Sequence, residues 1–221
     1  MIATLLDFDG VLVDSEPAHL AAFNDALATF GIFISDREYS ESYLSLDDAG
    51  VLRAVLSRGG RTLREEDVRA GVAAKAARFM VRFADSFRAF PGAAALVTRR
   101  AARGPVGIVS GALEPEIAFA LKKMGVRGDV AFVVSAERTP VSKPDPSPFL
   151  LAVEELRRLG HTGSAVVVED SIGGVTSAVR AGISCVGVTH SYSSDELLRA
   201  GAAAAVDGLD ALTDTLLDGL P

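Results

Sequence analysis

Short apolar runs alternate with amphipathic stretches over most of the chain. The apolar runs are rich in Val and Ile and are bounded by turn-forming residues, a pattern typical of buried strands. They predict strands over Met1–Phe8, Val106–Ser110, Val130–Ser135, Ala165–Glu169 and Ser184–Thr189. Helices are predicted between them, each followed by a glycine, over Pro115–Met124, Phe149–Leu159 and Val175–Ala181. This alternation predicts an α/β fold with a doubly wound parallel sheet, covered by helices on both faces.

The segment between residues 16 and 85 departs from this alternation, because its pattern is helical throughout. Helices are predicted over Pro17–Phe30, Asp36–Leu44, Leu46–Arg58 and Leu63–Asp85. Before the last of these helices, Thr62 and Glu65 form the pattern of a capping box. The same helix has an apolar face made of Val68, Val72, Phe79 and Phe83. The sequence therefore predicts an all-helical domain at residues 16–86, inserted into an α/β core at residues 1–15 and 87–221.

Composition narrows the class of protein further. The 221 residues carry 22 Lys and Arg against 29 Asp and Glu, so the formal net charge is −7. An acidic chain without a basic tract is not expected to bind nucleic acid, and no apolar run is long enough to cross a membrane. Cys185 is the single cysteine, which is typical of a reducing compartment. We therefore expect a cytoplasmic protein; its oligomeric state is open, and a monomer is compatible with the sequence.

Two carboxylates, Asp7 and Asp9, stand one residue apart where the first predicted strand ends, and Gly10 follows them. Like charges in a buried site raise each other's pKa, so a cation between the two carboxylates would relieve their repulsion. The carboxyl edge of an open parallel sheet is also where such folds bind ligands. A plain turn is the alternative, since Asp and Gly are common turn residues.

Ser110 and Lys143 are two further polar residues in notable positions. Ser110 ends a predicted strand shortly before a helix, where a hydroxyl can bind an anion or can simply cap the helix. Lys143 is one of only 4 lysines and precedes a loop that three prolines stiffen, Pro144–Pro148. A solvent-exposed lysine is the alternative interpretation of Lys143.

A second acidic pair, Glu169 and Asp170, follows the predicted strand that begins at Ala165. Helix capping is again the alternative interpretation. Because the carboxyl ends of parallel strands share one sheet edge, we expect both acidic pairs to meet Ser110 and Lys143 there. Together they supply metal ligands, a nucleophile, an anion-binding hydroxyl and a cation, which are the parts of a phosphoryl-transfer site.

Four motifs carry a resemblance to a known family. They read DFDGVLVDSEP from Asp7, VSG from Val109, SKPDPSPF from Ser142 and VVVEDSIGG from Val166. In content and order they resemble the four motifs of the haloacid dehalogenase superfamily, and the resemblance covers nearly the whole chain. The helical insert resembles the cap of the branch that contains beta-phosphoglucomutase and small-metabolite phosphatases. The resemblance implies a Rossmann-like core that carries an all-helical cap domain.

The resemblance implies a role for each residue of the core motifs. Asp7 is implied as the nucleophile that forms an aspartyl-phosphate, and Asp9 as the general acid that later activates water. Ser110 and Lys143 are implied to hold the transferred phosphoryl oxygens, with Lys143 also tempering the charge of Asp7. The dehalogenase branch has no counterpart of Asp9, so we do not expect dehalogenation.

The resemblance also implies Mg²⁺ as a cofactor. The implied ligands are the Asp7 carboxylate, the backbone carbonyl of Asp9 and the Asp170 carboxylate. Glu169 is implied as a further ligand, either directly or through water. All of these are hard oxygen donors, which Mg²⁺ prefers.

Three residues of the helical insert and its hinge are candidates for substrate recognition. Ser15 and His19 match positions that the mutase-like branch uses near its hinge and substrate; a surface position is the alternative for His19. Lys75 lies within the apolar face of its helix, between Val72 and Phe79. We therefore expect its ammonium to reach the substrate, and snorkelling from the edge of that face is the alternative.

We expect a Mg²⁺-dependent phosphatase that acts on a small phosphorylated metabolite such as a sugar phosphate. A phosphomutase of the beta-phosphoglucomutase type is the alternative. In that enzyme an arginine followed by a glycine grips the distal phosphate, and the stretch from Tyr43 to Asp48 contains neither residue. A catalytically inactive binding protein is a third possibility, which the intact set of motif residues disfavours.

Overall fold

A computed structural model of the protein describes residues 1–43, 46, 48–58 and 63–220. Its strands are β1 (Ala3–Leu6), β2 (Val106–Val109), β3 (Phe132–Val134), β4 (Ala165–Glu169), β5 (Ser184–Val188) and β6 (Ala204–Val206). Its α-helices are α1 (Glu16–Leu27), α2 (Asp36–Ser42), α3 (Asp48–Leu56), α4 (Glu65–Asp85), α5 (Ala93–Ala101), α6 (Glu114–Met124), α7 (Ser147–Arg158), α8 (Ile172–Arg180), α9 (Ser194–Arg199) and α10 (Asp214–Asp218).

The strands form one parallel sheet in the order β3-β2-β1-β4-β5-β6. At its centre, Leu5 of β1 is in register with Gly107 of β2 and with Val167 of β4. Every residue of β1 and β2 is buried, as expected for parallel strands that are covered on both faces. The predicted α/β fold with a parallel sheet is confirmed.

Glycines end the helices of the sheet region at the predicted positions. Gly125 follows α6 and Gly182 follows α8, each with a φ of 75°. Only glycine adopts this left-handed conformation without a steric penalty, so the chain turns there and enters the next strand. α7 packs against β2 and β3, and its Phe149 side chain is fully buried in the core of the sheet region.

The elements that the hydrophobic pattern did not predict are short or rich in alanine. β6 lies in the alanine-rich stretch that ends at Val206, and α5 begins with three alanines. α9 and α10 have 6 and 5 residues, too few to establish a helical period. Among the described helices, none is both long enough and apolar enough to cross a membrane.

The helical insert is a compact unit of its own. It comprises Ser15–Phe87, whereas Met1–Asp14 and Arg88–Pro221 make up the α/β unit. These bounds differ by one residue at each end from the predicted division at residues 16–86. Inside the insert, α1 and α3 both pack against α4, and Phe23 and Leu52 belong to the apolar core.

The start of α4 differs from the prediction. Arg64, not Thr62, occupies the N-cap position, and its side chain makes no capping hydrogen bond. The Arg64 guanidinium instead donates to both oxygens of Asp67, at 2.8 Å each. The predicted capping box is therefore wrong for this helix start, and Thr62 itself lies outside the described residues. The acidic first turn of α4 favours the helix electrostatically instead.

Candidate active site

The carboxyl edge of the sheet collects the motif residues. Asp7 follows β1, Ser110 follows β2, and Glu169 ends β4 with Asp170 directly after it. Lys143 reaches the same place from the loop that precedes α7. Parallel strands bring these side chains close together, because the carboxyl ends of all the strands lie at one edge of the sheet.

Lys143 ties three segments of this edge together. Its Nζ donates to Asp7 Oδ1 at 2.6 Å, to Glu169 Oε1 at 2.6 Å and to the Val109 carbonyl at 2.7 Å. These bonds use all three ammonium protons, and the side chain is only 15% exposed. The interpretation of Lys143 as a solvent-exposed lysine is therefore wrong. Burial lowers the pKa of Lys143, but Asp7 and Glu169 outweigh it and hold the pKa above its ordinary value.

Three carboxylates crowd around this ammonium. One oxygen each from Asp7, Glu169 and Asp170 lies within 4.8 Å of the others, and all three residues are buried. Burial raises the pKa of Asp7 well above its ordinary value, and the two neighbouring carboxylates raise it further against the effect of Lys143. Burial, together with Glu169, raises the pKa of Asp170 to about 7. The single Lys143 ammonium cannot balance three carboxylates. The site therefore lacks positive charge and offers oxygen ligands, and both properties fit a divalent cation such as Mg²⁺.

Two glycines make room for these carboxylates. A Cβ on Gly10 would lie 1.9 Å from Asp170 Oδ2, and Gly10 also has a φ of +75°. A Cβ on Gly174 would lie 1.8 Å from Glu169 Cδ. No side chain fits at either position while the carboxylates stay in place. The sequence did not predict this role for either glycine, although their positions beside the acidic pairs were the available signal.

Glu169 is held by the loop that follows it. Its Oε2 accepts from the backbone N–H of Asp170 at 3.2 Å, the N–H of Ser171 at 3.3 Å and the Ser171 hydroxyl at 3.1 Å. Ser171, at the N-cap of α8, accepts from the Gly174 N–H at 3.0 Å. Ser171 therefore caps this helix, and the capping interpretation of the acidic pair is wrong.

Ser110 is also not a helix cap. Leu113 occupies the N-cap of α6, whereas the buried Ser110 hydroxyl oxygen accepts from the Ala112 N–H at 3.0 Å. That bond leaves the hydroxyl proton available to an acceptor. Ser110 and Lys143 line a cavity of about 340 Å³ together with Gly111, Ser142 and Pro148. The cavity gives an anion access to both polar groups.

Asp9 lies two residues beyond Asp7, half-buried, in a loop with a fixed backbone. The backbones of Asp9 and Val13 form an isolated β-bridge. The N–H of Gly10 donates to the Val13 carbonyl at 2.9 Å. The backbone therefore makes a bridged turn after Asp9, at the same sheet edge as Asp7.

The substrate candidates of the helical insert lie within that unit. Lys75 Nζ donates to both oxygens of Asp48 at 2.9 Å and lies 2.8 Å from His19 Nδ1. The Lys75 side chain is 5% exposed and lies over the rings of Phe23 and Phe79. The snorkelling interpretation is therefore wrong, because the ammonium is not in solvent.

His19 and Ser15 have unusual environments in the same unit. Burial and the neighbouring Lys75 lower the pKa of His19 to about 3, so the imidazole is neutral at physiological pH. Since an ammonium can only donate, Nδ1 accepts and Nε2 carries the proton. The Ser15 hydroxyl is buried and has no hydrogen-bond partner within the part of the chain that the structure describes.

Most of the chain is similar to a known family of hydrolases and to named phosphatases. Residues 3–182 match a family model described as haloacid dehalogenase-like hydrolase. The chain is 31% identical over 222 residues to phosphoglycolate phosphatase of Rhodospirillum rubrum, which covers 97% of this chain and 90% of that protein. It is 27% identical over 217 residues to phosphorylated carbohydrates phosphatase of Thermotoga maritima, with 93% and 94% covered.

A solved structure shows the same extent of similarity. The crystal structure of CbbY from Rhodobacter sphaeroides in complex with phosphate aligns with a TM-score of 0.77 and 26% sequence identity. The alignment covers 99% of this chain and 100% of the CbbY chain. The similarity therefore includes the helical insert as well as the four motifs.

Proposed function

We propose that this chain, which belongs to the family of haloacid dehalogenase-like hydrolases, hydrolyses a small phosphate monoester through an aspartyl-phosphate on Asp7. Its family and its similarity to named phosphatases make it a phosphoric monoester hydrolase. The observation that carries the proposed mechanism is the placement of Asp7. Its carboxylate is buried, hydrogen-bonded to Lys143 and grouped with Glu169 and Asp170.

In the first step, an Asp7 carboxylate oxygen attacks phosphorus while the bond from phosphorus to the ester oxygen breaks. Asp9 donates a proton to the departing ester oxygen, so the leaving group is an alcohol. In the second step, Asp9 removes a proton from water as the water oxygen attacks the phosphorus of the aspartyl-phosphate. The bond between phosphorus and Asp7 then breaks, which releases inorganic phosphate and restores both carboxyl groups.

Lys143 and Ser110 support both steps by position and charge. The bond from Lys143 to Asp7 orients the nucleophile and favours its ionised form against the effect of burial. The Ser110 hydroxyl lines the cavity and would donate its proton to a phosphoryl oxygen there. Both contributions fit a loose phosphoryl-transfer transition state, where catalysis comes mainly from positioning and charge neutralisation.

Mg²⁺ fits the donor set, with Asp7, Asp170 and the backbone carbonyl of Asp9 as its proposed ligands. When bound, it would neutralise charge on the phosphoryl oxygens and on the carboxylates. Glu169 is the less suitable direct ligand, because Oε1 accepts from Lys143 and Oε2 accepts from the following loop. We therefore assign Glu169 a contact to the ion through water.

The proposed substrates are small phosphate monoesters of the kinds named for the relatives, phosphoglycolate first and phosphorylated carbohydrates second. The proposal assigns Ser15, His19 and Lys75 to recognition of the part of the substrate beyond the phosphate. The Ser15 hydroxyl, which has no hydrogen-bond partner among the described residues, and the Nε2–H of the neutral His19 support the assignment of these two residues. The Lys75 ammonium is bonded to Asp48 and His19, so Lys75 would act by holding His19.

A phosphomutase activity remains the alternative. The stretch from Tyr43 to Asp48 has no arginine, and Leu44, Ser45 and Asp47 lie outside the described residues. Formation of an isomerised sugar phosphate without release of inorganic phosphate would favour the mutase. A cytoplasmic location stays a prediction from the sequence, and the oligomeric state stays open.

The test is a screen for release of inorganic phosphate from a panel of phosphorylated metabolites, run with Mg²⁺ and with excess chelator. The panel contains phosphoglycolate, several sugar phosphates and a generic aryl phosphate. We expect Mg²⁺-dependent release from at least one metabolite and from the aryl phosphate. No release from any member would contradict the phosphatase assignment and would favour a binding role.

A further inference from the structure

The loop that follows β5 contacts the first acidic loop from a distant part of the sequence. His190 Nδ1 lies 2.7 Å from the Gly10 carbonyl oxygen, and 180 positions separate the two residues. The imidazole also stacks on Phe90, with ring centroids 3.9 Å apart and an interplanar angle of 12°. A carbonyl oxygen only accepts, so Nδ1 carries the proton in this contact.

The next residue of this loop contacts the second acidic pair. The Ser191 hydroxyl donates to Asp170 Oδ2. On its other side, the same carboxylate lies directly against Gly10, since a Cβ there would be 1.9 Å from Oδ2. Gly10 and Asp170 therefore contact each other. Two consecutive residues of the β5–α9 loop bind them: His190 binds Gly10 and Ser191 binds Asp170.

Both held groups need such support. Gly10 has a φ of +75°, and glycine has the most backbone freedom to lose; Val13 holds its N–H within the loop, and His190 holds its carbonyl from outside the loop. Asp170 is buried beside Glu169, which repels it. A donor on Oδ2 fixes the plane of the Asp170 carboxylate and leaves its other oxygen for a cation.

From these contacts we infer that His190 and Ser191 are positioning residues of the active site. Ser191 sets the orientation of the Asp170 carboxylate, and His190 holds the Gly10 carbonyl, one peptide after the carbonyl of Asp9. The inference rests on the proposed function, because the groups positioned are the proposed Mg²⁺ ligands. None of the four sequence motifs includes either residue.

The first test measures binding of Mn²⁺ alone to metal-free protein, with no substrate present. Ser191→Ala should weaken Mn²⁺ binding about 10-fold or more, the usual effect of losing a hydrogen bond that orients a ligand. Ser191→Thr keeps the hydroxyl and should restore most of the affinity. Ser193→Ala is the matched control, because Ser193 caps α9 in the same loop; it should bind Mn²⁺ like the wild type.

The second test separates the donor of His190 from its stacking. His190→Phe keeps an aromatic ring against Phe90 but has no N–H for Gly10. His190→Asn keeps an N–H donor but has no ring. We expect His190→Phe to lower kcat about 10-fold with little change in KM, and His190→Asn to retain more of kcat than His190→Phe does.

The outcomes distinguish failure of the positioning role from failure of the proposed function. If wild type and Ser191→Ala bind Mn²⁺ equally, or if Ser193→Ala weakens binding as much, the positioning role is wrong while the metal site stands. If neither wild type nor Asp170→Ala binds Mn²⁺ measurably, the proposed metal site fails and the inference fails with it. Thermal unfolding of each metal-free variant checks that the fold is retained. A loss of kcat in His190→Asn equal to that in His190→Phe would remove His190 from the inference.

Discussion

Asp7 and Asp9 belong to one motif, yet their surroundings suit different roles. Asp7 is buried and its carboxylate accepts a hydrogen bond from Lys143, which orients it for the proposed attack on phosphorus. Asp9 is only half-buried, so it can exchange protons with water between the two steps. The proposed division between a buried nucleophile and a more accessible acid and base follows from where each residue lies on the loop.

Asp9→Asn tests the acid role through the leaving group. An alkyl phosphate needs a proton on its departing oxygen, whereas an aryl phosphate leaves readily without one. We expect the rate of leaving-group departure to fall about 100-fold or more for an alkyl phosphate and much less for an aryl phosphate. Binding of Mn²⁺ should be little changed, because the proposed contact of Asp9 is its backbone carbonyl. Equal losses on both substrate types, measured by single-turnover release of the alcohol, would argue against the acid role.

Lys75→Met tests substrate recognition in the helical insert. Methionine keeps an unbranched apolar side chain against Phe23 and Phe79 and removes only the charge. We expect kcat/KM for the best screened metabolite to fall about 10- to 100-fold, equivalent to about 1.4–2.8 kcal/mol. Activity on a minimal aryl phosphate, which offers no oxygens beyond the phosphate, should barely change.

The control for this variant is Lys122→Met, a change at an exposed lysine of α6. It should leave kcat/KM for both substrates unchanged. If Lys75→Met also leaves both unchanged and alters only the unfolding temperature, the ion pair of Lys75 with Asp48 is purely structural. That result would remove Lys75 from the substrate-binding residues.

Among the elements, α10 shows how a short helix can be fixed by charge. Arg100 of α5 is fully buried, and its guanidinium donates to Thr4 Oγ1 at 2.9 Å, Asp214 Oδ1 at 3.0 Å and Asp218 Oδ1 at 2.7 Å. A helix of 5 residues has little stability of its own. The two aspartates of α10 therefore hold the C-terminal segment against the sheet by neutralising a buried cation.

Asp218→Asn should lower the free energy of unfolding by about 2 kcal/mol at neutral pH, because it leaves the buried guanidinium short of one anionic partner. The hydrogen bond from Arg100 lowers the pKa of Asp218 below its ordinary value. A lowered pKa contributes stability above the unfolded-state value and loses it as the pH falls. The difference between wild type and variant should therefore shrink below about pH 4.

Denaturant unfolding at several pH values measures this difference. Asp210→Asn is the matched control, an exposed aspartate close in sequence to α10, and it should change stability by less than about 0.5 kcal/mol. A difference for Asp218→Asn that stays constant from pH 7 to pH 3 would show that the ion pair is not its source.

For the molecule as a whole, the central strands and their helices could be predicted from sequence because their signals are local. β1, β2 and β4 are mostly apolar, and glycines mark the helix ends, so each element can be identified from its own residues. β6 and α10 could not be predicted in this way. The first lies in a stretch of alanines, and the second depends on Arg100, more than 100 positions away along the chain.

The same distinction applies to the candidate site. The acidic pairs, Ser110 and Lys143 could be placed at one sheet edge, because parallel strands bring their carboxyl ends together whatever the loops do. The contacts of His190 with Gly10 and of Lys75 with Asp48 join segments 180 and 27 positions apart. Such contacts arise from tertiary packing, for which the sequence gives no periodic signal.

The proposed mechanism depends most directly on Asp7 as the phosphoryl acceptor, and Asp7→Asn tests this role. An amide of nearly the same shape cannot accept the phosphoryl group, so the variant should fold normally and lose activity by a factor on the order of 1,000 or more. The measurement is steady-state release of inorganic phosphate with saturating Mg²⁺, from an aryl phosphate and from the best screened metabolite. Near-normal phosphate release by the pure, folded variant would contradict the aspartyl-phosphate mechanism.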